Sequence, residues 1–391
     1  METSLNFSPA RLFQLTLPIL IILLILVISA FIIYNFLSDE KIEPSPYNST
    51  GQIPSAEQAS NQTSNSSIQG RLLAISKEPV LSLSTDGKKV KYYSVSNGNL
   101  FESNLDGSEL TRISSIVLDN LIKAIWSPQK DKVITIFNEN GLAKKYLYNY
   151  NTKISIPLSG DMRWITWSPN QDKIAYQYYN SQTGDNNISI SNPDGSDWNT
   201  IFQTRMKDLI VEWPDPSKVS VRTKPSGLVQ SVVYTIDLAT NDFQKIINET
   251  YGLTVLWSPL GNKILYSETD NEGKNLKLKI ADLEKQTISE LNIITLAEKC
   301  VWSQDNRTIF CAVPKSIPTS SILPDDYYKK KTSFDDSFWR INLETEEMTK
   351  IFETQGLGIE FYNAKELLLT PLENYLLFIN QKDNLLYSLK L

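Results

Sequence analysis

Trp257-Ser258-Pro259-Leu260-Gly261-Asn262-Lys263-Ile264 is one copy of a pattern that recurs along the chain. Close copies read WSPQKDKV from Trp126, WSPNQDKI from Trp167 and WSQDNRTI from Trp302. Degenerate copies begin at Leu83 (LSTDGKKV), Trp213 (WPDPSKV, one residue shorter) and Leu369 (LTPLENYL). Successive copies lie 41 to 46 residues apart until the last interval, which is 67. A period near 40–45 residues is that of a propeller blade of four strands, so seven units predict an all-β, seven-bladed propeller of four-stranded antiparallel blades.

The units read as strands when taken singly. In the fifth, TVLWS is followed by the turn Pro259–Asn262, then KILYSE, LKLKIADL and TISELN, each short, apolar or β-branched, and bounded by turn formers. Asp106-Gly107 and Asp194-Gly195 fall between the third and fourth strands of their units, where Asp-Gly supplies the positive φ of a tight hairpin. A calcium loop is the other reading of these turns, but no run of spaced acidic ligands completes one. Trp126, Trp167, Trp213, Trp257 and Trp302 each close a first strand and are expected to be structural anchors wedged between neighbouring sheets.

The two ends of the repeat region point to ring closure. Residues 71–83 (RLLAISKEPVLSL) resemble 245–257, which run from a fourth strand into the next first strand. The piece from Leu369 supplies three strands, so a strand around Arg71–Ser76 can complete the last blade. The last anchor is Leu369 or, in a second register, Phe361; the gapless match of 370–389 to 84–103 favours Leu369.

The signature, fullest at Trp257–Ile264, resembles the TolB-type β-propeller repeats of bacterial envelope proteins, over about residues 71–391. The resemblance implies the fold and leaves function open, since propellers serve many tasks. Similar repeats form the propeller of prolyl-oligopeptidase-like enzymes, whose hydrolase domain carries a G-x-S-x-G nucleophile; this sequence has no such motif. TolB itself is an exported soluble protein with an extra N-terminal domain, so the partners of that family are not carried over.

Composition narrows the chemistry. The 391 residues include no histidine and two cysteines, with net charge −6. Histidine-dependent triads, dyads, zinc sites and proton shuttles are excluded. A mildly acidic balance without a long basic stretch argues against nucleic acid. No cofactor is expected.

Before the repeats, 12–37 (LFQLTLPILIILLILVISAFIIYNFL) holds no charge. Its most apolar part is about 23 residues, or roughly 34 Å as a helix, enough to cross a bilayer core. A cleaved signal peptide has a shorter apolar region, and the small-residue pair Ser29-Ala30 lies inside this one. The expectation is an uncleaved anchor with residues 1–11 cytoplasmic, because Arg11 precedes it while Asp39, Glu40 and Glu43 outnumber Lys41 beyond it. Residues 38–70, rich in Ser, Asn, Gln and Pro, read as a disordered tether to an extracytoplasmic body.

One departure from the repeat suggests a site. After the second strand of the sixth unit an insertion (VPKSIPTSSILPDDYYKKKTSFDD) runs about 15 residues beyond its counterpart and is expected to project from the face of the second-to-third strand loops. It carries Tyr327, Tyr328, Lys329, Lys330 and Lys331, flanked by Asp325, Asp326, Asp335 and Asp336, and reads either as a recognition loop or as a solvated excursion. Tyr178 and Tyr179 begin a loop on the same face. Cys300 and Cys311, symmetric about a hairpin centred near Asp305-Asn306, are placed for a cross-strand disulfide or lie as two small buried thiols.

The functional expectation is a membrane-anchored, non-catalytic binding or scaffold module for an envelope protein or cell-wall polymer. A carbohydrate-active enzyme using paired carboxylates needs no histidine and is the alternative. A ligand-sensing ectodomain of a membrane signalling complex is the third reading.

Overall fold

A computed structural model describes residues 71–114, 116–353 and 361–391. The expected cytoplasmic leader (1–11), anchor (12–37) and tether (38–70) lie outside them. Among the described residues, no helix is long and apolar enough to cross a membrane.

The described residues form seven antiparallel four-stranded sheets. Blade 1 is β2–β5 (80–112), blade 2 β6–β9 (121–158), blade 3 β10–β13 (162–203) and blade 4 β14–β17 (210–250). Blade 5 is β18–β21 (255–291), blade 6 β22–β25 (300–352), and blade 7 β26–β28 (364–390) with β1 (Leu72–Ala74). The expected closure is present: β1 lies against β28 (Leu386–Lys390), pairing Leu72 with Leu389 and Ala74 with Tyr387. Leu369 pairs with Leu376 as Trp126 pairs with Val133 and Trp167 with Ile174, which settles the last anchor on Leu369.

The core sits between blades. One buried apolar cluster fills each of the seven seams, including Ile75, Val80 and Leu386 where blade 7 meets blade 1. A middle strand is covered on both faces, so it buries consecutive residues, as Ile264, Leu265 and Tyr266 show; outermost strands such as Thr287–Leu291 are largely exposed.

The repeat signature has a physical reason at nearly every position. The indole Nε1 of Trp126, Trp167 and Trp302 donates across a seam to Ser82, Ile125 and Leu256 carbonyls at 3.0, 2.9 and 3.4 Å. The serine caps the turn: the amides of Lys132 and Lys263 donate to Ser127 and Ser258 Oγ, which donate in turn to Asp131 and Asn262. Thr370 repeats the arrangement with Tyr375 and Asn374. At the glycine position the backbone is left-handed; Gly261 has φ 68° and a Cβ there would meet Pro214 O at 2.7 Å. The Asp106-Gly107 and Asp194-Gly195 turns close their hairpins with glycine φ of 80° and 85°.

Two faces follow from this topology. The turn face carries the repeat turns. The insertion face carries the second-to-third strand loops and the links between blades. As a fourth strand, β1 runs from the turn face toward the insertion face, so the chain enters the ring at Arg71 on the turn face.

Candidate functional site

The insertion after β23 (Thr308–Pro314) does not project. It lies across the insertion face and builds a small core of its own, Leu323, Tyr327 and Phe334 packed on Leu276 and Leu296 from blade 5 and the link to blade 6. Leu323 N donates to Gly273 O at 2.9 Å, and Lys274 Nζ donates to the carbonyls of Thr319 and Ser321, both at 2.8 Å. Gly227, in the blade 4 loop, is closest of all: a Cβ there would collide with the Leu323 carbonyl.

The acids expected to flank a recognition surface are engaged by the loop itself and by its neighbours. Asp325 accepts from Gly227 N at 2.7 Å and from Ser226 Oγ, and Asp326 accepts from Ile322 N at 2.8 Å, around the single helical turn Asp325–Tyr328. Asp335 pairs with Lys315 at 2.9 Å. Asp336 is fully buried against Lys299, also fully buried.

Lys299 is the keystone of the face. Its three ammonium hydrogens have three acceptors: Asp336 Oδ2 at 2.8 Å, Asn363 Oδ1 at 3.0 Å and Ala364 O at 2.8 Å. The rings of Tyr327 and Phe334, stacked on each other, lie 5.1 and 5.3 Å from Nζ. Burial draws the Lys299 ammonium down and pushes the Asp336 carboxyl up, and the mutual attraction works against both shifts. One side chain thus ties the insertion to the seam between blades 6 and 7.

This corrects the reading of Tyr327 as a surface binding residue. It is 4 % exposed, because the loop needed an apolar floor and the buried lysine needed a ring. Tyr328 is 42 % exposed, and its hydroxyl donates to Glu298 Oε2 at 2.9 Å. Burial, reinforced by Glu298, raises the Tyr328 hydroxyl far above its ordinary range, and burial also raises Glu298. Lys329, Lys330 and Lys331 are all exposed, with Lys330 left-handed (φ 56°) where the helical turn ends. With Asp325, Asp326 and Asp336 engaged beneath and the part-exposed Asp335 paired with Lys315, these three ammonium groups give the outer surface of the insertion a basic character.

Beside it, Arg222 holds Glu212 with two hydrogen bonds, Nε to Oε2 at 3.1 Å and Nη2 to Oε1 at 3.3 Å. Arg222 Nη1 and Glu298 Oε1 are shielded from solvent and lack a hydrogen-bond partner among the described residues, leaving one donor and one acceptor unused in this nest. Further round, Trp164 is 41 % exposed and left-handed (φ 50°) at a bulge in β10 (Met162–Trp167). Lys224 Nζ sits 5.7 Å from its ring and pairs with Asp208 at 3.6 Å, which also pairs with Arg163 at 3.0 Å. Arg163 and Lys207 flank the Tyr179 ring at 4.5 and 5.1 Å. Tyr178 packs partly into the seam of blades 2 and 3.

Sequence reasoning therefore named Tyr328, Tyr179 and the three lysines on this face and missed Lys299, Arg222, Glu298 and Trp164. The signal for Lys299 was present: a Glu-Lys pair directly precedes the first strand of the one unit with an insertion.

Cys300 and Cys311, directly opposite in the β22–β23 ladder, are joined in a disulfide with Cα atoms 4.0 Å apart. Trp213 and Trp302 are buried in seams, and Trp126 and Trp257 are half-buried against them. Among the described residues, no group of three or more acidic or cysteine side chains is placed to hold a metal ion.

No protein-family model and no curated protein sequence matches the chain. Solved structures do. An oligogalacturonate lyase in complex with manganese is similar over 78% of this chain and 86% of its own, at 13% identity and TM-score 0.57. The β-propeller domain of the Trilobed protease from Pyrococcus furiosus, which has an open velcro topology, is similar over 80% and 96%, at 11% identity and TM-score 0.52. TolB from Acinetobacter baumannii is similar over 87% and 71%, at 14% identity, with a TM-score of 0.43 that carries no argument. Likeness at these identities extends to the propeller fold and no further.

Proposed function

We propose that this chain is a membrane-anchored, extracytoplasmic propeller that binds another envelope component, a protein or cell-wall polymer, through its insertion face and performs no chemistry of its own. The anchor is residues 12–37 and the tether 38–70. The observation that carries the reading is the insertion: Asp325, Asp326 and Asp336 are consumed in holding its fold, while Lys329–Lys331 and Tyr328 are left exposed on a fixed platform. Exposed aromatic residues on a held surface are typical of recognition sites, and a cluster of lysines beside them steers an acidic partner. The cation-lined rings of Trp164 and Tyr179 extend that surface around the same face. A partner with acidic groups and apolar edges suits it.

The test places photo-crosslinkable residues at Tyr328 and Lys330 in the full-length protein in its native membrane, followed by mass spectrometry. Discrete protein or wall-polymer adducts at these positions support the reading and identify the partner class. Silence at both, with crosslinks recovered from the turn face, overturns the choice of face. A turnover activity that survives purification to homogeneity overturns the non-catalytic reading.

A further inference from the structure

Blade 4 departs from the repeat in a second way, on the opposite face. Its first hairpin is shortened: Asp215 at the end of β14 (Ile210–Asp215) pairs directly with Lys218, leaving only Pro216 and Ser217 in the turn. The capped six-residue turn of blades 2 and 5 is missing. At the seam that follows, Trp257 does not make the hydrogen bond by which Trp126, Trp167 and Trp302 close theirs; like Trp213 Nε1 at the seam before, its Nε1 is shielded from bulk water and has no acceptor among the described residues. The seam is open on the turn face, as a groove of about 580 Å³ between blades 4 and 5. That volume lies within the range of small-molecule sites, about 300–1,000 Å³.

Its walls favour one ligand chemistry. The apolar strip is Trp257, Ile246 and Leu283, and the polar groups along it alternate in sign and type. Asp215, Asp282 and Glu284 oppose a polyanion, while Lys218 and Lys245 oppose a polycation. Gln244, Gln286 and Thr287 add neutral donors and acceptors. A ligand with an apolar face, many hydroxyls and no net charge fits this lining best. We infer that the groove between blades 4 and 5 is a binding site for a neutral oligosaccharide, seated against Trp257. The flat apolar face of a sugar ring suits the half-buried indole, and its hydroxyls suit the amide and carboxylate groups beside it. The inference does not depend on the insertion-face reading, since the two surfaces lie on opposite faces.

The experiment titrates the full-length protein with maltohexaose, cellohexaose and chitohexaose, reading tryptophan fluorescence and calorimetric heat. The expected result is saturable binding of at least one of the three. Trp257→Leu, which removes the flat ring, is expected to weaken it about fivefold. Gln244→Ala and Gln286→Ala change exposed lining residues and are expected to weaken it without changing the melting temperature, so a folding defect in the tryptophan variant leaves the idea testable. Lys329→Ala is expected to have no effect. No binding of any of the three sugars at millimolar concentration, or binding indifferent to Trp257→Leu, Gln244→Ala and Gln286→Ala, overturns the inference.

Discussion

A lysine with no solvent exposure survives only where every ammonium hydrogen is received and a carboxylate is at hand. Lys299 meets that condition with groups drawn from two places in the chain, Asp336 and the adjacent Asn363 and Ala364, neither near it in sequence. Replacing it by methionine leaves Asp336 buried without its cation, and the expected destabilisation is about 3–5 kcal/mol. Urea unfolding measures it. The double variant Lys299→Met/Asp336→Leu is expected to recover much of that loss, because the remaining charge is gone too. Lys330→Met, on the outer surface, is expected to stay within about 0.5 kcal/mol of the parent. The contrast explains what could be read from sequence at this scale. Lys329–Lys331 and Tyr327-Tyr328 stand out as a basic aromatic run, but which of them faces inward depends on Gly227, Gly273 and Asn363, whose proximity only the closed ring creates.

Turns and the insertion are the elements on which the repeat depends. At the Asp-Gly hairpins, the Asp106 and Asp194 carboxylates are held below their ordinary range by the hydroxyl, then the amide, of Ser108 and Ser196. A depressed carboxylate adds stability above its unfolded pKa and gives it up as the pH falls through the folded value. Stability is therefore expected to decline below about pH 4. The Asp106→Asn/Asp194→Asn variant is expected to lose less between about pH 6 and about pH 3 than the parent, compared by denaturant midpoints at each pH. The insertion answers to a different residue. Gly227→Ala places a methyl against the Leu323 carbonyl, and the expected outcome is rapid cleavage within 316–331 by a lysine-specific protease while the ring stays folded. Equal cleavage rates in parent and variant would refute this docking. Strands and turns were legible because their signals are local: W-S-P, Asp-Gly and alternation each act over a few residues. The docking of the insertion was not, because its length alone predicts a projection, and its three partner loops come from other blades.

Seven seams closed in a circle make the ring of the described residues, and the sequence period announced it, together with the clasp between its ends. Rings of this kind have one weak joint, where the chain starts and finishes. Here it is β1 on β28, with Leu72 buried and Arg71 donating to the Lys390 and Ile351 carbonyls. A chain beginning at Val80 is expected to lose at least about 2 kcal/mol, from the buried leucine and the lost ladder. It also bares a strand edge, so self-association by sedimentation is expected alongside a lower melting temperature. A chain beginning at Arg71, which keeps β1, is the control and should show neither change. The direction of β1 has a mechanical consequence. Tension drawn through the segment ahead of Arg71, against a molecule gripped at its insertion face, runs along the strand axis. The rungs between β1 and β28 then carry the load side by side, in shear, and must fail together rather than peel one at a time.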